Sequence, residues 1–125
     1  MLVLFLCFPF SGKQFIFPLV TQFLGHWHHM GTSLKAATIY KAHFNQGWLA
    51  FSETRWWSSW EQVAQQFPRL FLLPAFFRSC ITRGVCAETA SHLLELVQQP
   101  AFRVQVTGYV ELGRLFVTTT YSLEG

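Results

Sequence analysis

From residue 60 onward, apolar residues recur at spacings of three and four, the periodicity of amphipathic α-helices. The pattern predicts helices over 60–78, 87–98 and 106–121. Good helix formers predict another helix over 34–44, capped by Thr32 or Ser33 and ended by Asn45, Gln46 and Gly47. The last stretch is rich in strand-favouring valine and threonine, but two-residue alternation survives in it only locally. Helical spacing extends over the whole stretch, although two glycines interrupt it. We therefore predict an all-α fold, an incomplete helical bundle.

Local signals refine these helices. Ser58 and Glu61 have capping-box spacing, which predicts that the Ser58 hydroxyl accepts a hydrogen bond from the Glu61 amide at a helix start. Pro68 predicts a kink, because proline lacks an amide donor and clashes with the preceding turn. We expect Pro74 to interrupt the helix again and Pro100 to end the next one. The apolar stripe of the first part is expected to comprise Trp60, Val63, Ala64, Phe67 and Phe71.

Residues 1–31 form an unassigned apolar segment that we expect to be loosely ordered, followed by a helical unit over 32–125. The apolar runs of this segment are shorter than the roughly 18 residues that span a bilayer, so a membrane partner is not expected. A signal peptide would need a preceding cation and a cleavage pattern that the segment lacks. His26, His28 and His29 lie between two glycines, which predicts a loop of solvated or packing histidines instead of a metal site.

Composition narrows the possible functions. The chain has 125 residues, of which only 12% are charged and 51% are hydrophobic, so its polar residues are too few to cover a small domain. Exposed apolar faces could therefore bind another protein chain or a second copy. The net charge of +3 comes from dispersed cations, which neither establishes nor excludes a nucleic-acid partner. Cys7, Cys80 and Cys86 form an odd set typical of a reduced compartment, and we expect Cys80 and Cys86 to be buried.

Two motifs resemble known sequences. Residues 52–58 read Ser-Glu-Thr-Arg-Trp-Trp-Ser, and 121–125 read Tyr-Ser-Leu-Glu-Gly. Both resemble segments of hAT-type transposases and of host proteins derived from them. The resemblance covers about residues 33–125 and implies part of the helical insertion of a ribonuclease-H-like domain. The family uses two aspartates and one glutamate to hold its catalytic metals, yet this chain has no aspartate. We therefore expect a catalytically inactive, nuclear fragment without catalytic residues, metal or cofactor.

The resemblance also implies a DNA contact. Trp56 would stack on an exposed base, and Arg55 would hold a phosphate or orient Trp56. The structural alternative is that Trp56, Trp57 and Trp60 pack the first helix against the second, with Arg55 paired to Glu53 or a helix end. A different functional hypothesis is a small membrane-associated or secreted helical protein that uses its apolar N-terminus.

Overall fold

The computed structural model describes residues 17–49 and 57–124, and for residues 117 and 119–124 it describes the backbone only. The helices are α1 (Pro18–Gly31), α2 (Leu34–Phe44), α3 (Ser58–Gln66), α4 (Leu73–Thr82), α5 (Ala87–Val97) and α6 (Pro100–Glu124). A 3₁₀-helix over Phe67–Leu72 connects α3 to α4. No strand occurs in the described ranges, so the all-α class is confirmed. None of the helices described there combines the length and apolar character needed to cross a bilayer.

Helix α1 corrects the interpretation of the N-terminal region. Its buried side chains are Val20, Phe23, Leu24, Trp27 and Met30. They follow helical spacing straight through the histidine cluster, so the loop predicted between Gly25 and Gly31 is wrong. Residues 18–31 are helical and contribute to the same hydrophobic core as the other helices, so loose order does not describe this half of 1–31. Gly25 does not mark a turn; it lies within α1 and faces open space on the helix surface.

Helix α2 has the ends that its sequence predicts. The Ser33 hydroxyl oxygen accepts a hydrogen bond from the Ala36 amide at 3.2 Å, which satisfies one of the free donors at the helix start. Asn45 adopts a left-handed conformation with φ of 53° and its amide donates to the Lys41 carbonyl. Asparagine tolerates this conformation at a helix end better than most residues do.

The start of α3 differs by one residue from the predicted cap. Trp57 occupies the cap position, and the Glu61 amide donates to the Trp57 carbonyl at 3.0 Å. Ser58 is therefore the first helical residue and is 1% exposed. The core-facing side of α3 also includes Gln62 and Gln66, so its buried face is more polar than the predicted apolar stripe.

Proline positions explain two further corrections. The kink predicted after Phe67 is present, since Arg69 leaves helical geometry with φ of −118° and ψ of 22°. This break shifts the helical phase, which leaves Phe71 71% exposed instead of buried. Pro74 lies in the first turn of α4, and Pro100 begins α6. Proline is tolerated there because amides of the first turn have no partner within the helix.

Helix α6 runs through both of its glycines, as predicted for this segment. Gly113 lies against the indole of Trp60, and a Cβ atom at this position would overlap the ring. The Trp60 Nε1 donates to the Val110 carbonyl of α6 at 3.1 Å. Gly113 therefore permits a close approach between α3 and α6, in addition to weakening helix propensity.

An aromatic cluster around Trp27 occupies the core. The Trp27 ring stacks on Trp48 at 4.2 Å between centroids and on Phe23 at 5.3 Å. Its ring also makes edge contacts with Tyr40 of α2 and with Phe76 and Phe77 of α4. One side chain of α1 thus contacts α2, α4 and the segment that follows α2.

Replacing Trp27 with alanine should lower the free energy of unfolding by about 3–5 kcal/mol, because the buried indole is lost and its neighbours cannot fully close the cavity. Chemical denaturation followed by circular dichroism measures this loss. Phe71→Ala is the matched control: that ring is mostly exposed, so we expect a change below about 0.5 kcal/mol. Equal losses in the two variants would contradict the central position of Trp27.

Gly113→Ala should destabilise the protein by about 1–3 kcal/mol, because the added methyl group overlaps the Trp60 ring. Gly108→Ala is the control in the same helix, where the new Cβ would meet only Phe17 Cε1 at 3.5 Å, an ordinary contact. That variant should gain about 0.5–1 kcal/mol from the better helix propensity of alanine. Thermal unfolding of both proteins should therefore show shifts of opposite sign, and shifts of the same sign would refute the close approach.

Candidate nucleic-acid interface

The predicted DNA-contacting residues, Arg55 and Trp56, lie outside the described residues, in the interval 50–56. The structure does describe both flanks of that interval. These flanks show how the chain is held immediately before and after the interval.

The upstream flank is held by aromatic packing. Trp48 stacks on Trp27 with an interplanar angle of 24°, and its ring also lies 5.0 Å from Tyr40 and 6.1 Å from Phe76. The indole covers Gly31 so closely that a Cβ atom there would overlap it. Stacked and edge-on aromatic pairs stabilise by about 0.5–1.5 kcal/mol beyond their buried area. Residue 48 is therefore fixed on the core immediately before the interval begins.

The next residue is tied to the helix on the other side of the interval. The Gln62 Nε2 of α3 donates to the Leu49 carbonyl at 2.9 Å. Gln62 is only 4% exposed, and loss of a hydrogen bond from a buried amide costs about 1–3 kcal/mol. The residue before the interval and the residue after it therefore both lie at α3.

Trp60 packs differently from the packing alternative. Trp60 is half-buried and contacts α6 through Val110 and Gly113, whereas the alternative placed it between α2 and α3. Trp57 is half-buried at the cap of α3. Trp60 therefore packs α3 against the last helix.

Arg69 stabilises the kink after α3. Its guanidinium donates to the Tyr40 hydroxyl at 3.0 Å and to Gln46 Oε1 at 2.7 Å, and it lies 5.0 Å above the Phe44 ring. The Gln66 amide also donates to the Tyr40 hydroxyl, at 2.9 Å. Since two of its N–H donors and one flat face are already engaged within the fold, Arg69 is less available to bind phosphate.

Two cations that are distant in sequence meet at one surface. Lys35 of α2 and Arg83 of the α4–α5 turn line an open cavity of about 320 Å³ together with Thr38, Ile39 and Val85. Both cationic side chains are exposed. The sequence contains no run of cations, so only the fold reveals this basic groove. A groove with two cations can contact a phosphate backbone but is far smaller than a full nucleic-acid footprint.

Histidines also converge across two helices. The rings of His26 on α1 and His92 on α5 lie 5.1 Å apart. Burial lowers the pKa of His26, and the nearby imidazoles of His92 and His29 lower it further. Nothing in the sequence pattern links His92 to the N-terminal histidines. Within the described ranges, no group of three or more His, Cys, Asp or Glu side chains is placed to hold one metal ion.

Cys80 is fully buried at the end of α4, as expected. Burial and the neighbouring Cys86 raise the pKa of Cys80 to about 11, with Arg83 acting in the opposite direction. A thiol with such a pKa is a poor nucleophile because it is almost entirely protonated at neutral pH. Cys86 is only half-buried and caps α5 with φ of 49°, and Cys7 lies outside the described residues.

The lowered pKa of His26 predicts a loss of stability on acidification. As pH falls below the ordinary pKa near 6.5, the unfolded chain binds a proton that folded His26 resists because of burial and of the neighbouring His92 and His29. Glu95 lines the same cavity, and its negative charge acts in the opposite direction. The free energy of unfolding should therefore fall between about pH 7.5 and about pH 5.5, and His26→Gln should reduce that fall. His43→Gln removes an exposed imidazole from α2 and serves as the control. Denaturant titrations at both pH values test this, and identical slopes in wild type and His26→Gln would contradict it.

Comparison with protein-family models, curated proteins and solved structures finds no match to this chain.

Proposed function

We propose that this chain is a catalytically inactive fragment derived from an hAT-type transposase, which contacts DNA in the nucleus through residues 50–56. In this proposal, Trp56 stacks on an exposed base and Arg55 binds a neighbouring phosphate. The support is the resemblance at 52–58 together with the described flanks of the same segment. The helices belong, in this proposal, to the helical insertion of the ribonuclease-H-like parent domain.

The observation that carries the proposal is the fixation of the segment at both ends. Trp48 is stacked on the buried Trp27, Leu49 is hydrogen-bonded to Gln62, and α3 follows the segment. Binding a ligand costs entropy for every chain segment that must be ordered. A seven-residue segment that starts and ends beside one helix has fewer conformations to lose than a free tail has. Ordering this segment on DNA would therefore cost less entropy, so that Trp56 can stack on an unpaired base and Arg55 can bind a phosphate.

The charges allow a contact of modest strength. The exposed Lys35 and Arg83 supply further positive charge, whereas Arg114 is paired with Glu111 at 3.0 Å. Few phosphate contacts predict a weak, sequence-independent electrostatic contribution that salt reduces. Stacking by Trp56 would then supply a large share of the affinity. This balance favours hairpin or single-stranded DNA over a regular duplex, whose bases are already stacked.

Absence of catalysis is part of the proposal. A two-metal centre requires several converging carboxylates, and the sequence contains six glutamates and no aspartate. Metal-dependent cleavage or joining of DNA by this chain would overturn this part.

Fluorescence anisotropy with labelled hairpin and single-stranded DNA tests the DNA contact. Trp56→Ala should weaken binding by about 1–3 kcal/mol, and Trp56→Phe should retain much of the affinity because phenylalanine also stacks. Lys41→Ala is the control, since it removes one exposed cation elsewhere, on α2. Circular dichroism should be unchanged in all three variants. Unaltered affinity in Trp56→Ala would contradict the proposal, and loss of its helicity would favour the packing alternative.

Protein binding is the second candidate, because several large apolar side chains are exposed. They are Leu34, Phe71, Leu72, Val104 and Leu115, with exposed fractions between 47% and 84%.

Fractionation of cells that produce a tagged chain separates both candidates from the membrane or secretory alternative. Soluble nuclear material supports a transposon-derived role, whereas microsomal material that resists salt washing contradicts it.

A further inference from the structure

The surface between α1 and α5 carries a pair of imidazoles unrelated to the proposed DNA contact. His26 is half-buried on α1, and His92 is exposed on α5. Their ring centroids lie 5.1 Å apart, with planes inclined by 49°. The two rings open onto a cavity of about 240 Å³ lined by Gln22, His26, His92, Glu95, Leu96 and Gln99.

The separation of the rings matches that of two imidazoles on one metal ion. A zinc–nitrogen bond measures about 2.0–2.1 Å, so each ring centre lies about 3.2 Å from the ion. At a tetrahedral angle, two such rings have centres about 5 Å apart. This agrees with the 5.1 Å between His26 and His92. The two helices therefore hold the ring centres at a separation compatible with shared coordination of one ion.

We propose that His26 and His92 form a two-imidazole binding site for a divalent transition metal ion of the zinc, copper and nickel class. Imidazole nitrogen is a preferred ligand for these ions and a poor one for magnesium or calcium. Water completes the coordination sphere, since no third His, Cys, Asp or Glu joins the pair among the described residues. The cavity at this position leaves room for that water.

Glu95 makes the surroundings favourable for a cation. It lies one helical turn after His92 and lines the same cavity. Its negative charge attracts the ion without serving as a ligand, and the amides of Gln22 and Gln99 can accept hydrogen bonds from bound water. Glu95→Gln should weaken metal binding less than loss of either imidazole does.

Such an ion would connect α1 to α5. Both helices contribute to the core, α1 through Trp27 and α5 through Leu93. A ligand that binds only the folded state stabilises it in proportion to its occupancy. Zn²⁺ should therefore raise the unfolding temperature of the wild-type chain, and a chelator should reverse the increase.

Isothermal titration of Zn²⁺ into the full chain tests the site. His26→Gln and His92→Gln should each weaken the affinity at least tenfold, because one imidazole alone is a poor site. His29→Gln is the matched control, as it removes an exposed imidazole from α1 three residues after His26. An unchanged affinity in His92→Gln would overturn the proposal. So would an equal loss in His29→Gln, since the ion would then be held along α1 alone.

Chemical modification of the wild-type chain keeps the test valid even if a variant fails to fold. Diethyl pyrocarbonate acylates accessible imidazoles, and mass spectrometry identifies the modified positions. Zn²⁺ should slow modification of both His26 and His92 and leave that of His43 on α2 unchanged. If Zn²⁺ changes the modification rate of neither His26 nor His92, the site is refuted.

Discussion

The packing of Trp27 is the interaction on which the rest of the structure depends. This indole is 1% exposed and is shared by α1, α2, α4 and the segment after α2. A buried aromatic side chain removes a large apolar area from water, and Trp27 does so against two other helices and the segment after α2. The order of the N-terminal helix and the position of Trp48 both follow from this contact. In a chain with little charge and many phenylalanines, one ring thus joins α1, α2 and α4.

The sequence allowed most of the helices to be predicted, because their apolar periodicity is local. Ser33 and Asn45 bound α2 as expected, since caps depend on neighbouring residues only. The errors arose where local signals are ambiguous. Proline marks either a helix end or a helix start, and Pro74 and Pro100 are starts. Glycine is ambiguous too: Gly25 suggested a turn, although the hydrophobic spacing of α1 continues through it.

Some candidate site residues can be predicted from the sequence, whereas others are brought together only by the fold. Arg55 and Trp56 were identified because they are neighbours in one sequence motif. Their DNA contact stays a prediction, because both lie outside the described residues. The approach of His92 to His26 and that of Arg83 to Lys35 could not be predicted. Each pair joins distant parts of the chain, and its geometry depends on how the helices pack. In the sequence, His92 is distant from the N-terminal histidine cluster, and the cations are dispersed.

The hydrogen bond from Gln62 to the Leu49 carbonyl has a mechanical consequence. Any partner that pulls on residues 50–56 transmits tension at one end to the stacked indoles and at the other to α3. Trp48 and Leu49 are half-buried and contact the buried Trp27 and Gln62, so displacing them would disturb the aromatic centre. A force on a bound partner would therefore be borne by the packing of Trp27 and by α3.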